Sequence, residues 1–206
     1  MQAVKKIPYW WLLCPVFLYL FLQLYLHKHI DLSDLPGAAG AWSIYLAGVG
    51  TPKSDPAALV YHFLQLNIPL ELVTIQAFLS ILLGMLSIIG ATLLGQSIGG
   101  NTTGFYTGCL LAVWSPILLF GLLCGNDTLC VALAFFGIGL AFWGLNGSLY
   151  RVPFAMLGYT FLTISVSIKE LALPLVPILL LSPFAIRKKD VRWLIFIPIL
   201  LYSAYW

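Results

Sequence analysis

The sequence is dominated by apolar segments, most of them close to the length that a helix needs to cross a lipid bilayer. A transmembrane helix requires about 20 consecutive, mostly apolar residues. Hydrophobic residues make up 61% of this chain and charged residues 8%, whereas a soluble domain carries about 25% charged residues. We therefore predict an all-α, polytopic membrane helix bundle that forms a single transmembrane domain, residues 1–206. About seven transmembrane helices are predicted, at residues 7–26, 71–95, 103–124, 127–145, 151–168, 170–186 and 191–206.

The first and last of these segments need separate comment. Residues 7–26 follow Lys5 and Lys6, as the apolar core of a signal peptide follows basic residues, but the run is too long for such a core and has no small-residue cleavage site. We read it as a retained first helix. Residues 191–206 are barely long enough to span, so the chain ends within the seventh helix. We expect either a fragment or a partner polypeptide that completes the fold.

The distribution of charge predicts an orientation. With a cytoplasmic N-terminus, seven of the ten basic residues fall inside and only Lys28, Lys53 and Lys169 fall outside, as expected for cytoplasmic loops rich in Lys and Arg. The predicted location is therefore the bacterial inner membrane or the ER membrane. The same threading gathers nearly all acidic residues at the outer face, where we expect the chemistry: Asp31, Asp34, Asp55, Glu71, Asp127 and Glu170.

The outer loop at residues 27–70 carries two helix-start signals. Asp34 precedes Leu35 and Pro36, and Asp55 is followed directly by Pro56; an acidic N-cap with proline at the first helical position begins many helices. We predict two short juxtamembrane helices in this loop, with Asp55 mainly structural.

The first candidate functional cluster is His27-Lys28-His29-Ile30-Asp31-Leu32-Ser33-Asp34. A carboxylate at the membrane surface, partly desolvated and near a cation, can act as a general base for a hydroxyl nucleophile. The structural alternative is that Asp34 only caps a helix and that the histidines only extend to the interface. Two His and two Asp also resemble a metal site; because their spacing fits no single helical face, we predict no metal ligands.

Two further outer positions are candidates. Asp127, in the Gly125-Asn126-Asp127-Thr128 turn, caps the fourth helix in the simplest interpretation. Lys169 and Glu170 lie between apolar segments, where they can pair with each other, although an ammonium at headgroup depth is also a good partner for a lipid-linked phosphate. The four cysteines lack metal-ligand spacing and are predicted to pack as small apolar residues, the alternative being a disulfide between Cys124 and Cys130.

The order of these features resembles the GT-C superfamily of polytopic membrane glycosyltransferases, which use polyprenyl- or dolichyl-phosphate sugars. The shared pattern is a first helix followed by an acidic outer loop with two juxtamembrane helices, here beginning at Asp31-Leu32-Ser33-Asp34. A helix pair joined by a turn follows, from Ser115-Pro116 to Gly125-Asn126-Asp127, and then a helix that ends in Lys, here Ser165-Val166-Ser167-Ile168-Lys169-Glu170.

This resemblance implies an inverting sugar transfer on the outer face. It implies Asp34 as catalytic base with Asp31 second, Lys169 and His29 as ligands of the donor phosphate, and Asp127 and Glu170 as supporting residues. The implied partners are membrane lipid, the polyprenyl- or dolichyl-phosphate sugar and a membrane protein partner. Independently of the resemblance, the small formal charge of +3 indicates no nucleic acid. No cofactor is implied beyond the lipid-phosphate donor; a divalent metal is compatible but not indicated. The alternative functions are a non-catalytic GT-C-like subunit or scaffold and, less well supported, a small transporter.

Overall fold

All the regular structure that we describe is helical. A computed structural model describes residues 8–30, 72–120, 122, 126–146 and 152–168, with residues 174 and 177; no strand occurs in these ranges. Within the described residues, three helical stretches are long and apolar enough, by length and composition, to cross a membrane: Tyr9–His29, Ala77–Val113 and Asp127–Leu145. This confirms a helical chain with the character of a multi-pass membrane protein. The predicted juxtamembrane helices lie outside the described residues. So do the predicted helices at 170–186, apart from residues 174 and 177, and at 191–206. The count of seven helices therefore stays a prediction.

The first helix begins with a 3-10 turn, Tyr9–Leu13, and continues as helix α1, Cys14–His29. Pro15 is accommodated in the first turn of α1, where its missing N–H would have no intrahelical acceptor. Ile30 ends the helix with extended backbone (φ −109°, ψ 118°), while its N–H donates to the carbonyl oxygen of Leu26 at 2.8 Å. The helix thus runs beyond its predicted end at residue 26. The basic side chains of its last turn stabilise this extension, because they lie at the end of the helix that carries partial negative charge.

The second and third predicted helices form one helical stretch, Leu72–Val113, that is interrupted at Gly99 and Gly100. Gly100 has φ 79° and ψ −172°, a backbone conformation that is open essentially only to glycine. A Cβ at this position would meet nothing within 4 Å, so the constraint on residue 100 lies in the backbone alone. We name the part before the interruption α2 (72–98) and the part after it α3 (101–113).

Helices α2 and α3 form an antiparallel hairpin. Thr92 and Gly104 would lie about 18 Å apart in a straight helix, yet a Cβ built on Gly104 would lie 2.7 Å from the carbonyl oxygen of Thr92. Across the turn, Gln96 Nε2 donates to Asn101 Oδ1 at 2.9 Å. The chain therefore reverses between α2 and α3, as the sequence predicts, although the turn is shorter than expected because both helices extend closer to it.

The third predicted helix, 103–124, is broken at Trp114, after which a short helix α4 follows at Ser115–Phe120. Pro116 has no N–H to continue the helical ladder, and it disfavours helical backbone at the preceding residue. Helical hydrogen bonding resumes with the N–H of Leu118, which donates to the carbonyl oxygen of Trp114 at 3.1 Å.

Two further helices complete the described bundle: α5, Asn126–Leu145, and α6, Val152–Ile168. α5 runs parallel to α2. Gly139 packs so closely on Gly90 that a Cβ would overlap the Gly90 carbonyl oxygen, and seven residues later on both helices Asn146 Nδ2 donates to the carbonyl oxygen of Ser97 at 3.1 Å. α6 runs antiparallel to α5. Their shared core consists of Ile138, Ala141, Leu145, Ala155, Tyr159 and Leu162.

Helix α1 packs on the α2–α3 hairpin. It is antiparallel to α2, with Tyr19 packed on Gly84, and parallel to α3 and α4, with Pro15 packed on Gly108. A second core lies here, formed by Val16, Tyr19, Ile88, Ala112 and Ile117. The alternating helix directions give the bundle two ends, which we name the His29 end (the C-terminus of α1, the start of α2 and α5, the C-terminus of α6) and the Tyr9 end.

Candidate functional site

The candidate site lies at the His29 end, where α1 contributes a basic last turn. Lys28 and His29 are exposed and His27 is half-buried. The rings of Tyr25 and His29, one helical turn apart, have centroids 4.4 Å from each other. A basic turn at a helix C-terminus offsets the partial negative charge of the unpaired carbonyl groups. His29 is therefore exposed at one end of the bundle, and Asp31 and Asp34 follow it within five residues in the chain.

Asp127 is contributed by the first turn of α5 at the same end of the bundle. The residue is half-buried, while the neighbouring Thr128 is buried. The N-terminus of a helix carries partial positive charge from its unpaired N–H groups, which stabilises a carboxylate there. Asp127 thus brings a carboxylate to this end of the bundle, at the start of α5 as the sequence predicts.

The C-terminus of α6 packs against the start of α5, close to Asp127. Val166 and Ile168 lie against a buried cluster of Cys130 and Ala134. Cys130 is one helical turn after Asp127, and Ile168 directly precedes Lys169 in the chain. The contact therefore joins the described residue nearest to Lys169 with the helical turn that follows Asp127.

A hydrogen-bonded pair fixes this contact. The hydroxyl of Ser165 donates to the carbonyl oxygen of Cys130 at 2.8 Å, and the Cys130 thiol lies 3.3 Å from the same hydroxyl. Cys130 is not part of a disulfide bond, so the alternative of a disulfide between Cys124 and Cys130 is not what the structure shows. The packing role predicted for the cysteines holds for Cys130, with a polar contact added.

The predicted site residues divide into two groups. His29 and Asp127 share one end of the bundle, where α1 packs on the α2–α3 hairpin, and the core between them also meets Val131 and Phe135 of α5. Asp31, Asp34, Lys169 and Glu170 lie outside the described residues, so their roles stay predictions. Within the described part of the chain, no three His, Cys, Asp or Glu side chains are grouped so that they could hold a metal ion.

Two polar side chains in the interior were not singled out from the sequence. Tyr19 and Gln23 are one turn apart on α1 and fully buried. Gln23 Nε2 donates to the carbonyl oxygen of Leu118 at 2.9 Å, one of the carbonyl groups that the short helix α4 leaves open at its end. Gln23 Oε1 and the Tyr19 hydroxyl have no hydrogen-bond partner among the described residues. An amide inside an otherwise apolar first helix was the available sequence signal for a polar helix contact.

Comparison of the chain with family models, with curated proteins and with solved structures gave no match. The functional interpretation therefore depends on the residues themselves.

Proposed function

We propose that this protein is a membrane glycosyltransferase that moves a sugar from a lipid-phosphate donor to an acceptor hydroxyl at the His29 end of the bundle. One observation contributes most to this proposal: Ile168, next to Lys169 in the chain, packs on Cys130, one turn from Asp127. A carboxylate and the segment leading to a candidate phosphate-binding cation thus belong to one packed unit. His29 and the acidic segment that follows it begin at the same end.

The proposed reaction assigns one task to each group. The carboxylate of Asp34 accepts the proton of the acceptor hydroxyl as its oxygen attacks the anomeric carbon, with Asp31 as second candidate for this base. The bond between the anomeric carbon and the phosphate oxygen breaks, and its electron pair stays on the phosphate. The ammonium group of Lys169, with His29, binds the phosphate and neutralises the charge that develops there. Asp127 and Glu170 orient the cation.

Reconstitution of the full chain in liposomes with a polyprenyl-phosphate hexose and a range of acceptor alcohols tests this proposal. The measurement is the release of free polyprenyl phosphate and the appearance of the glycosylated acceptor. Loss of a positioned general base lowers rates by about 10²–10⁴-fold, so Asp34→Asn should lose most activity. Lys169→Ala should raise the KM for the donor, with partial recovery in Lys169→Arg.

Asp55→Asn is the matched control, because Asp55 has the same side chain in the same outer loop and is predicted only to cap a helix. Its activity should stay close to that of the unmodified chain. If the unmodified chain releases no polyprenyl phosphate, or if Asp34→Asn and Asp31→Asn both retain full activity, the enzymatic proposal fails. Retained cellular function in both variants would then favour the non-catalytic GT-C-like subunit.

A further inference from the structure

The Tyr9 end of the bundle carries a group of aromatic side chains, four of them linked by ring contacts. We name the group the aromatic patch: Tyr9, Trp10, Trp11, Phe105 and Tyr106. Ring centroids lie 5.3 Å apart between Trp10 and Trp11, 5.9 Å apart between Trp11 and Phe105, and 5.5 Å apart between Phe105 and Tyr106. All but the half-buried Phe105 are exposed. The patch therefore joins the start of the first helix to the start of α3 on the outside of the bundle.

The position of the patch along the first helix matches the thickness of a bilayer. From Trp11 to His29 the chain is helical and covers about 27 Å at 1.5 Å per residue, close to the hydrocarbon thickness of about 30 Å. Between these two positions, the exposed side chains of Phe17, Phe21 and Leu24 are wholly apolar. When His29 lies in one headgroup layer, the patch consequently lies in the other.

The sequence around this end of the bundle is basic. Lys5 and Lys6 precede Tyr9, and Arg151 directly precedes Val152, the first residue of α6. No acidic residue occurs in residues 1–30, 72–126 or 128–169, which include every described helix end that meets the Tyr9 end. The charge here is therefore complementary to an anionic surface, in contrast to the His29 end, where Asp127 lies.

We propose that the aromatic patch binds the phospholipid headgroup layer at the Tyr9 end and that anionic phospholipids are its partner. Indole and phenol rings favour this layer because their apolar faces meet the acyl chains while their N–H and O–H groups donate to ester and phosphate oxygens. Lys and Arg near such a surface add attraction to anionic lipids. This anchor is independent of sugar transfer and concerns the opposite end of the bundle.

A depth measurement on two matched positions tests the anchor. Trp10 and Phe17 are 63% and 64% exposed and lie about two helical turns apart on one face of the first helix, which separates them by about 11 Å in depth. Each is replaced by Cys in a full chain whose native cysteines are Ser, labelled with a nitroxide and reconstituted in bilayers that contain phosphatidylglycerol. Collision rates with oxygen and with a water-soluble nickel chelate give the depth of each label.

The anchor predicts a label at headgroup depth for position 10 and a label within the acyl chains for position 17. Equal depths at both positions would overturn it. So would shielding of position 10 from both reagents, because that result means a protein covers the patch.

The lipid preference has its own test on the unmodified chain. Its unfolding midpoint should be higher in nanodiscs of phosphatidylglycerol than in nanodiscs of phosphatidylcholine, because a ligand that binds the folded state stabilises it. The triple variant Lys5→Gln, Lys6→Gln and Arg151→Gln should lose this difference, whereas the control Lys28→Gln at the opposite end should keep it. Equal midpoints for the unmodified chain in both lipids would refute the preference for anionic lipid.

Discussion

Ser165 and Cys130 hold the C-terminal half of α6 against the start of α5. The Ser165 hydroxyl donates to the Cys130 carbonyl oxygen at 2.8 Å, with the Cys130 thiol 3.3 Å away. Both residues are buried. Hydrogen bonds between helices are among the forces that associate helices in lipid, where burial of apolar surface contributes little. This pair therefore fixes the relative position of the two helices that lead to Asp127 and Lys169.

Ser165→Ala should lower the free energy of unfolding by about 0.6 kcal/mol, the average found for polar contacts between membrane helices, as measured by unfolding in mixed detergent micelles. Ser167→Ala is the matched control. Its hydroxyl donates to the Thr163 carbonyl oxygen within α6, at 3.0 Å, so its loss breaks no contact between helices. Equal effects of the two substitutions would show that the Ser165 pair does not join the helices.

Gly100→Ala should destabilise the bundle although a Cβ there meets no neighbouring atom. The cause is the backbone at residue 100, whose positive φ costs a non-glycine residue about 1–3 kcal/mol. Thr102→Ala, two residues further along in α3, serves as control because alanine favours a helix, and it should change stability little. The measurement is again the unfolding free energy; an unchanged value for Gly100→Ala would mean that the turn adopts another conformation.

Cys14 and Cys109 should be joined by a short bifunctional thiol reagent. Their neighbours Pro15 and Gly108 are in contact, because a Cβ on Gly108 would lie 2.8 Å from the Cβ of Pro15. The test uses a chain in which only these two cysteines remain and measures cross-linking as protection from a mass-adding maleimide. A chain that retains only Cys14 and Cys130, at opposite ends of the bundle, is the control. Efficient linking in the control, or none in the test pair, would contradict the parallel packing of α1 and α3.

Tyr19→Phe should not destabilise the protein and should raise its unfolding free energy by up to about 1 kcal/mol. The substitution removes a buried hydroxyl that has no hydrogen-bond partner among the described residues and keeps the ring that packs on Gly84. An unsatisfied buried donor costs about 1–3 kcal/mol. Gln23→Leu on the same face should have the opposite effect, because it leaves the Leu118 carbonyl oxygen without its donor. A clear loss of stability in Tyr19→Phe would reveal a partner for this hydroxyl.

The helices could be predicted from the sequence because the backbone N–H and C=O groups of an apolar segment in lipid must be hydrogen-bonded within the protein, which favours a helix. The reversal between α2 and α3 could be placed near Gly99 and Gly100, since both flanking runs are apolar and the turn is rich in glycine. The start of α5 near Asp127 was also predictable from its capping residues. All of these features depend on local chemistry.

Features that depend on contacts between distant segments could not be predicted. The break at Trp114 is a separate case: a local signal, Pro116, was present, but the break was missed because the apolar pattern continues through it. The bond from Gln23 to the Leu118 carbonyl group requires knowing which helices are neighbours. The same holds for the packing of α1 on the hairpin, which decides how His29 and Asp127 are arranged. One sequence does not specify lateral order within a bundle.

Sugar transfer at the His29 end requires the proposed site residues His29, Asp34 and Lys169 to lie on the same side of the membrane. The accessibility of single cysteines tests this requirement most directly. In a chain without native cysteines, Cys replaces His29, Asp34, Lys169 or Asn146 one at a time. Sealed vesicles whose external surface corresponds to the predicted outer face are treated with a membrane-impermeant maleimide before and after permeabilisation. We predict that positions 29, 34 and 169 react in the sealed vesicles and that position 146 reacts only after permeabilisation. Labelling of positions 34 and 169 from opposite sides would contradict a shared site.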